Sequence, residues 1–177
     1  MAKFVAFLRG INVGGNKKVP MAKLKSVLEE FGFQKVRTLL ASGNVIFESK
    51  KESLLSLTKK ISATLDEAFG FVIPVILRDA DDIEKIVESD PFKNINVTKD
   101  TRLYVTFLSD EPKSKLKIPY LSPDKSFCIL NIKDKTIFSV LDLAKAGTVD
   151  AMAFLEKEFG KNITTRNWNT IVKIIKQ

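Results

Sequence analysis

The chain has 177 residues, of which 45% are hydrophobic and 28% charged, a balance typical of a globular fold and not of a disordered one. Histidine is absent and Cys128 is the single cysteine, which excludes Ser-His and Cys-His nucleophilic sites, intramolecular disulfides and most zinc sites. The apolar run near the N-terminus, Phe4 to Leu8, is too short for a signal peptide or a membrane span, so we expect a cytoplasmic protein with no membrane partner.

The net charge of +8 is unevenly distributed along the sequence. Residues 1–78 hold 13 Lys and Arg against 6 Asp and Glu, a net of +7, whereas residues 79–177 hold 16 against 15, a net of +1. A one-sided positive charge favours polyanions or phosphorylated ligands. Lysine-rich helix faces that only keep a protein in solution would produce the same balance.

Residues 1–78 predict the element order β-α-β-β-α-β. The first strand, Lys3 to Arg9, is apolar on both faces and is therefore expected at the centre of a sheet. Pro74 places the last strand of this set at a sheet edge, because proline has no N–H to donate. This is the ferredoxin-like order, an antiparallel four-stranded sheet with two helices on one face. The predicted helices are 20–31, starting at Pro20, and 53–69, and the other predicted strands are 35–40, 45–48 and 71–77.

Residues 79–100 predict a helix followed by a linker. The helix runs from Asp79 to about Glu88, and Asp79, Asp81 and Asp82 at its start complement the positive end of the helix dipole. A magnesium site is the alternative explanation of these carboxylates. The polar stretch 89–100 is typical of a linker.

Residues 101–177 predict a second unit of the same kind. Residues 104–108 repeat the apolar pattern of residues 4–8 at an offset of 100 positions, and the elements that follow include a lysine-rich helical piece from Glu111 to Ile118. A hairpin of residues 127–132 and 136–140 and a helix from about Val149 to Phe159 come next. We therefore expect an α+β fold of two ferredoxin-like subdomains, 1–78 and 101–177, that arose by duplication.

The second unit departs from the repeat at its end. Where a final strand is due, the apolar spacing of residues 168–175 predicts a terminal helix instead, with Thr164 or Thr165 as its cap. The predicted second subdomain therefore ends in a helix.

Three polar stretches contain more small and charged residues than packing requires. The first is a glycine-rich basic loop after the first strand, which lacks P-loop or dinucleotide spacing but can hold an anion on backbone N–H groups. The second is the turn Ser42-Gly43-Asn44. The third is Thr165-Arg166-Asn167-Trp168-Asn169, in which the guanidinium can bind a phosphate and the indole can stack on a base. The candidate anion-binding residues are Arg9, Gly10, Asn12, Gly14, Gly15, Lys17, Lys18, Ser42, Asn44, Arg166, Asn167 and Trp168.

Each stretch also has a structural interpretation: a flexible connection, an ordinary turn, and a tryptophan that anchors the core beside a capped helix. One cleft shared by all three would favour a binding site, and three separate surfaces would favour the structural interpretations. No residue stands out as catalytic, and we expect neither a metal site nor a cofactor.

Three motifs resemble the signature of an uncharacterised bacterial family that is catalogued as a domain of unknown function. They are Phe7-Leu8-Arg9-Gly10-Ile11-Asn12-Val13-Gly14-Gly15, Ala41-Ser42-Gly43-Asn44-Val45-Ile46-Phe47 and Thr165-Arg166-Asn167-Trp168-Asn169-Thr170. The resemblance covers nearly the whole chain and implies duplicated ferredoxin-like subdomains, but no activity and no catalytic residues. Where the family often has a Gly-Arg-Ser-Lys-like segment before the last helix, this chain has Asp142-Leu143-Ala144-Lys145-Ala146-Gly147-Thr148.

The leading hypothesis from the sequence is a binding protein for a phosphorylated or polyanionic ligand, with nucleic acid as one candidate. The alternatives are a small enzyme acting on a phosphorylated metabolite or nucleotide, and a protein interaction module. An aromatic-rich strand signature of the RNA-binding sheet domains is absent from the sequence.

Overall fold

The computed structural model describes residues 1–145 and 150–177. The chain forms two compact units, Met1–Lys85 (unit 1) and Ile86–Gln177 (unit 2). The described residues form five helices and two antiparallel sheets, a mixed α+β structure that ends in a helix. The last part of the segment 142–148, and the predicted helix start at Val149, lie outside the described residues. No helix in the described ranges has the length and apolar character needed to cross a membrane.

Unit 1 is built on a four-stranded sheet. Its strand order is β2-β3-β1-β4, so β1 is central, as its two-sided apolar pattern predicts, and β4 lies at an edge, as Pro74 predicts. Strand β1 pairs antiparallel with both β3 and β4. The elements are β1 (Ala2–Leu8), α1 (Met21–Glu30), β2 (Gln34–Leu39), β3 (Asn44–Ser49), α2 (Leu54–Phe69) and β4 (Val75–Asp79), followed by α3 (Ala80–Ser89).

The core of unit 1 lies between one face of this sheet and the two helices. Alternate residues of β1 face the helices because side chains alternate along a strand. The intervening residues Val5 and Phe7 are also fully buried. The cluster that joins β1 to α1 and α2 includes Phe4, Ala6, Leu8, Leu24, Leu28, Leu57, Ile61 and Leu65.

Some of the predicted ends of helices and strands in unit 1 are confirmed and others are shifted. Ser53 caps α2, because its Oγ accepts from the Ser56 N–H at 3.2 Å, and Gly70 ends the helix in the left-handed region at φ 76°. Pro20 lies just before α1 in an extended conformation, and is not its first helical residue. The fourth strand starts at Val75 and not at 71, because Pro74 cannot donate to the β1 ladder.

Unit 2 is built on a five-stranded sheet of order β6-β7-β8-β5-β9. Helix α4 packs on one face of the sheet through Ala151 and Leu155, which join Phe127, Ile129 and Ile137 in one buried cluster. The elements are β5 (Thr101–Leu108), β6 (Tyr120–Leu121), β7 (Phe127–Lys133), β8 (Thr136–Asp142), α4 (Ala151–Phe159), β9 (Ile163–Asn167) and α5 (Trp168–Ile175).

Three predictions for unit 2 are wrong. Residues 111–118 form no helix: Pro112 and Pro119 limit a helix here to about two turns, which is too short to be stable by itself, and the exposure of the segment alternates with a period of two instead. A final strand is present: β9 pairs antiparallel with β5, and the hydroxyls of Thr106 and Thr165, which face each other in this pairing, lie 2.8 Å apart. Since Thr164 and Thr165 belong to that strand, neither caps α5, and Asn167 precedes the helix instead.

Candidate functional site

The glycine-rich loop after β1 folds as a small hairpin. The Asn16 N–H donates to the Val13 carbonyl at 3.2 Å, and the Asn12 N–H donates to the Lys17 carbonyl at 3.1 Å. Between them Gly14 (φ 60°) and Gly15 (φ 78°) are both left-handed, which is the backbone of a tight two-residue turn. The tip is exposed, with 70% of Val13 accessible to solvent. The two adjacent glycines are therefore explained by the turn itself.

Asn12 organises this hairpin through its side chain. Its Oδ1 accepts from the Val19 N–H at 2.8 Å, and its Nδ2 donates to the Val19 carbonyl at 3.0 Å and to the Ala41 carbonyl at 2.8 Å. Asn12 adopts φ 55°, a left-handed conformation that asparagine tolerates better than most residues. Asn12 thus ties both ends of the loop together and joins the loop to the β2–β3 turn.

The turn Ser42-Gly43-Asn44 packs directly against the same loop. The Gly43 carbonyl accepts from the Leu8 N–H at 2.8 Å, and a Cβ at Gly43 would lie 2.7 Å from Ile11 Cδ1. Asn44 is fully buried, and its Nδ2 donates to the Leu39 carbonyl at 2.7 Å and to Ser42 Oγ at 3.0 Å. The structure therefore brings the first two predicted motifs together in unit 1.

The charged residues of the loop differ from one another in exposure. Lys17 and Lys18 are exposed, whereas Arg9 is half-buried and its backbone N–H donates to the Pro74 carbonyl at 2.9 Å. The N–H groups of Asn12, Asn16 and Val19 donate within the loop. An anion at this loop would therefore meet the lysine side chains and not those three N–H groups.

Arg166 lies inside unit 2, with 9% of its surface exposed. Its Nη1 donates to Thr164 Oγ1 at 2.7 Å and to the Thr165 carbonyl at 3.0 Å. Burial lowers the pKa of its guanidinium to about 10, so Arg166 is still charged at neutral pH. These contacts make Arg166 a part of the packed sheet.

The next residues of the third motif line a groove in unit 2. Trp168 is half-buried and packs edge-on against Phe92, with 5.2 Å between the ring centroids. Asn167 and Asn169 flank it at the start of α5, where the Asn167 side chain makes no capping hydrogen bond. The groove has a volume of about 440 Å³ and is lined by Val97, Thr101, Arg102, Leu103, Asn167, Trp168, Asn169, Thr170 and Lys173.

Two cationic residues of this groove were missed in the sequence. Lys173 follows Asn169 by one helical turn, so the predicted terminal helix already placed both on one face. Arg102 is the second residue of β5, and its Nη1 donates to the carbonyls of Lys99 at 2.8 Å and Thr101 at 3.1 Å. Its position beside the motif depends on the pairing of β5 with β9, a strand that the sequence pattern did not predict.

The carboxylates near the start of α3 are accounted for by the helix. Asp81 and Asp82 lie in its first turn, where they complement the positive end of the helix dipole. Burial and the nearby charges of Asp82 and Asp81 raise the pKa of Asp79, the last residue of β4. Within residues 1–145 and 150–177, no group of three or more Cys, Asp or Glu side chains could hold a metal ion.

The two units carry equal net charge. Met1–Lys85 holds 14 Lys and Arg against 10 Asp and Glu, and Ile86–Gln177 holds 15 against 11, so each carries +4. The difference from the +7 of residues 1–78 comes from the end of β4 and from α3, whose acidic first half belongs to unit 1. Positive charge is therefore present for an anionic ligand in both units.

Comparison with known proteins identifies the family of the chain. The family described as protein of unknown function (DUF1697) matches residues 1–127. The chain belongs to this family. The family carries no assigned activity, which leaves the function of its members to be argued from structure. No curated protein matches the sequence.

A solved structure shows the same fold. The conserved bacterial protein SP0830 from Streptococcus pneumoniae is 23% identical, with a TM-score of 0.71 over 99% of this chain and 97% of that one. An unknown protein from Galdieria sulphuraria is 15% identical over 94% of this chain and 98% of that one, but its TM-score is 0.27, too low to compare folds.

Proposed function

We propose that the protein binds a phosphorylated ligand, and that the groove at the start of α5 receives it. The observation that carries this proposal is the composition of the groove, which combines an indole, two amides and two cations. Trp168 offers a face for a base or sugar ring, and Arg102 and Lys173 offer charge for a phosphate. A volume of about 440 Å³ is within the range of small-molecule sites.

The start of α5 adds to this charge. The first backbone N–H groups of a helix point along its axis without intrahelical partners, and they carry the positive end of the dipole. Trp168, Asn169 and Thr170 occupy these positions, and all three line the groove. A phosphate there would meet backbone donors together with the side chain of Lys173.

A fluorescence titration tests the proposal directly. Trp168 is the single tryptophan of the chain, so its emission reports on the groove. We expect a saturable change on addition of AMP, ATP, ribose phosphate or inorganic phosphate, with a nucleotide binding more tightly than phosphate because of stacking on the indole. Consumption of a probe in the same assay would favour the enzymatic alternative.

Two variants of α5 make a matched pair for this test. Lys173→Gln removes a charge from the groove, and Lys176→Gln removes a charge from the exposed end of the same helix. We expect Lys173→Gln to weaken binding about tenfold, which is about 1.4 kcal/mol, and Lys176→Gln to leave it unchanged. Equal effects of the two variants, or no response from any probe, would overturn the proposal.

We also infer that each unit contains a ferredoxin-like subdomain, residues 1–78 and 101–177, and that the pair arose by duplication. Support comes from the order β2-β3-β1-β4 in unit 1 and the order β7-β8-β5-β9 within the sheet of unit 2. In the second subdomain, residues 109–119 and β6 stand in place of the first helix. An experimental structure in which the four matching strands of each subdomain fail to superpose in order and direction would refute the duplication.

A further inference from the structure

A row of three lysines lies on the segment that joins β5 to β6. Exposure alternates along this segment: Lys113, Lys115 and Lys117 are exposed, and the intervening Ser114 and Leu116 are half-buried. An alternation with a period of two is typical of extended backbone, in which successive side chains point to opposite sides. The three lysines therefore project from one side of the chain, and we call them the lysine row.

The inner side of the segment is anchored to unit 2. Leu116 and Ile118 pack against the buried cluster beneath α4. Ser114 Oγ donates to Glu158 Oε1 on α4, and the Leu116 N–H donates to Ser114 Oγ at 3.0 Å. These contacts hold the backbone of the segment against unit 2, so a ligand that binds the lysine row does not first have to order the chain.

The three lysines of the row take no part in the ion pairs described for this unit. In those pairs Lys135 contacts Glu111 at 3.8 Å and Lys145 contacts Asp142 at 3.6 Å. Asp110 and Glu111 lie at the start of the segment, before the row begins. Three successive cations then follow without an intervening acid. Such an arrangement favours a ligand with repeated negative charges over one with a single phosphate.

The spacing selects the kind of ligand. Alternate residues of an extended chain are about 6.6 Å apart, which is of the same order as the distance between successive phosphates of an extended nucleic-acid strand. A single strand can adapt its backbone to a straight row, whereas the backbone of a duplex follows a fixed helical curve. We propose that the lysine row binds the phosphodiester backbone of a single-stranded nucleic acid, one lysine to each successive phosphate.

This surface uses none of the residues that line the groove, so it is independent of the function proposed above. Tyr120, the nearest aromatic residue along the chain, is stacked on Phe154 with 4.9 Å between centroids and is not an open platform for bases. Binding by the row should therefore depend on backbone charge and not on base identity. Oligothymidylate and oligoadenylate of equal length are therefore expected to bind with equal affinity. Each oligonucleotide is tested as DNA and as RNA, which compares the affinities for the two sugars.

The experiment is a fluorescence-anisotropy titration of a labelled oligothymidylate with the full chain. Binding is measured between about 50 and 200 mM salt, and the slope of log K against log salt counts the phosphates neutralised. The test variant is Lys113→Gln/Lys115→Gln/Lys117→Gln. We expect its slope to be shallower by about 2, the value for three lost lysine–phosphate contacts on a single strand.

The matched control is Lys51→Gln/Lys59→Gln/Lys93→Gln, which removes the same charge from three exposed lysines elsewhere. It is expected to keep the wild-type slope. Equal slopes for the two triple variants would overturn the proposal, as would absence of oligonucleotide binding by the wild type at low salt. The row could instead serve to stop the extended segment from pairing with another chain; in that case the test variant self-associates but keeps the wild-type slope.

The proposal for the lysine row and the proposal for the groove can be refuted independently of each other. The row variant is expected to keep the Trp168 fluorescence response to nucleotides, and Lys173→Gln is expected to keep the salt slope of oligonucleotide binding. Circular dichroism of each triple variant establishes that the fold is retained, since all six substituted lysines are exposed.

Discussion

The side chain of Asn12 and the backbone of Val19 form a reciprocal pair: Asn12 Oδ1 accepts from the Val19 N–H at 2.8 Å, while Asn12 Nδ2 donates to the Val19 carbonyl at 3.0 Å. The Asn12 amide exchanges two hydrogen bonds with the Val19 backbone, as two hydrogen-bonded residues on antiparallel strands do, and so holds the two ends of the loop together. A third bond, from Nδ2 to the Ala41 carbonyl, joins the closed loop to the β2–β3 turn.

Asn12→Asp is expected to destabilise the protein by about 1–3 kcal/mol. The carboxylate keeps the size of the amide and its tolerance of positive φ, but it cannot donate and would face two carbonyl oxygens. Urea denaturation followed by far-UV circular dichroism measures the loss. Asn16→Asp, in the same exposed loop, is the control and should change stability by less than about 0.5 kcal/mol.

Gly43→Ala is expected to lower the free energy of unfolding by about 3 kcal/mol or more, because backbone strain at positive φ adds to a steric clash of the new Cβ. Gly43 has φ 82°, and a Cβ there would lie 2.7 Å from Ile11 Cδ1 and 2.8 Å from Leu8 Cβ. Gly15 also has positive φ, but a Cβ added there would have no atom within 4 Å, so Gly15→Ala should cost only about 1–2 kcal/mol. Urea denaturation of both variants measures the two costs, and equal costs would show that the packing of the turn on the loop contributes nothing.

Glu52 provides a pH-dependent contribution to stability. Its carboxylate accepts from Lys60 Nζ at 2.8 Å and from Ser56 Oγ at 2.8 Å, and these two bonds, with the lysine first, lower the pKa of Glu52 below 4.5. Because the pKa is lowered, the stabilisation is present above the ordinary pKa of a glutamate and is lost as the pH falls through the folded-state pKa.

We therefore expect Glu52→Gln to lower the melting temperature at neutral pH and to match the wild type in acid. Thermal melts across the pH range measure the difference. Glu67→Gln, which removes an exposed acid from α2, should show no such convergence.

Cys128 is expected to react slowly in the folded protein. Burial raises the pKa of its thiol, which reduces the thiolate fraction at a given pH. With Ellman's reagent at mild alkaline pH, the native chain should react well below the rate of the urea-unfolded chain. Similar rates would contradict the half-buried position of Cys128 on β7.

The sequence predicted most of unit 1, because its strands and helices have clear apolar patterns and because glycine marks the end of both helices, at Gly32 after α1 and at Gly70 after α2. Its failures in unit 2 have separate causes. The segment from Pro112 to Pro119 alternates lysine with uncharged residues at a period of two, a signal of extended backbone that the lysine content, typical of a helix, outweighed. Strand β9 is polar, from Thr164 to Asn167, and is defined by pairing with a strand distant in sequence. No local pattern reveals that kind of element.

The candidate site divides in the same way. Local rules predicted the turn at Gly43, whereas Gly14 and Gly15 were expected only in a flexible loop and form a tight hairpin turn. Helical spacing puts Lys173 on the same face as Asn169, but the sequence analysis did not single out Lys173. The burial of Arg166 was not predicted, because a strand position between Thr165 and Asn167 depends on long-range pairing. The structural roles of Asn12 and Asn44 likewise depend on carbonyls that lie at a distance from them along the chain.

The aromatic residues are divided so that Trp168 and both tyrosines, Tyr104 and Tyr120, lie in unit 2, whereas the rings of unit 1 are all phenylalanine. Tryptophan emission during denaturation therefore follows unit 2, while far-UV circular dichroism follows both units. Coincident transitions by the two probes would mean that the chain unfolds in one cooperative step. If the transitions separate, their order identifies which unit is the less stable, without any need to divide the chain.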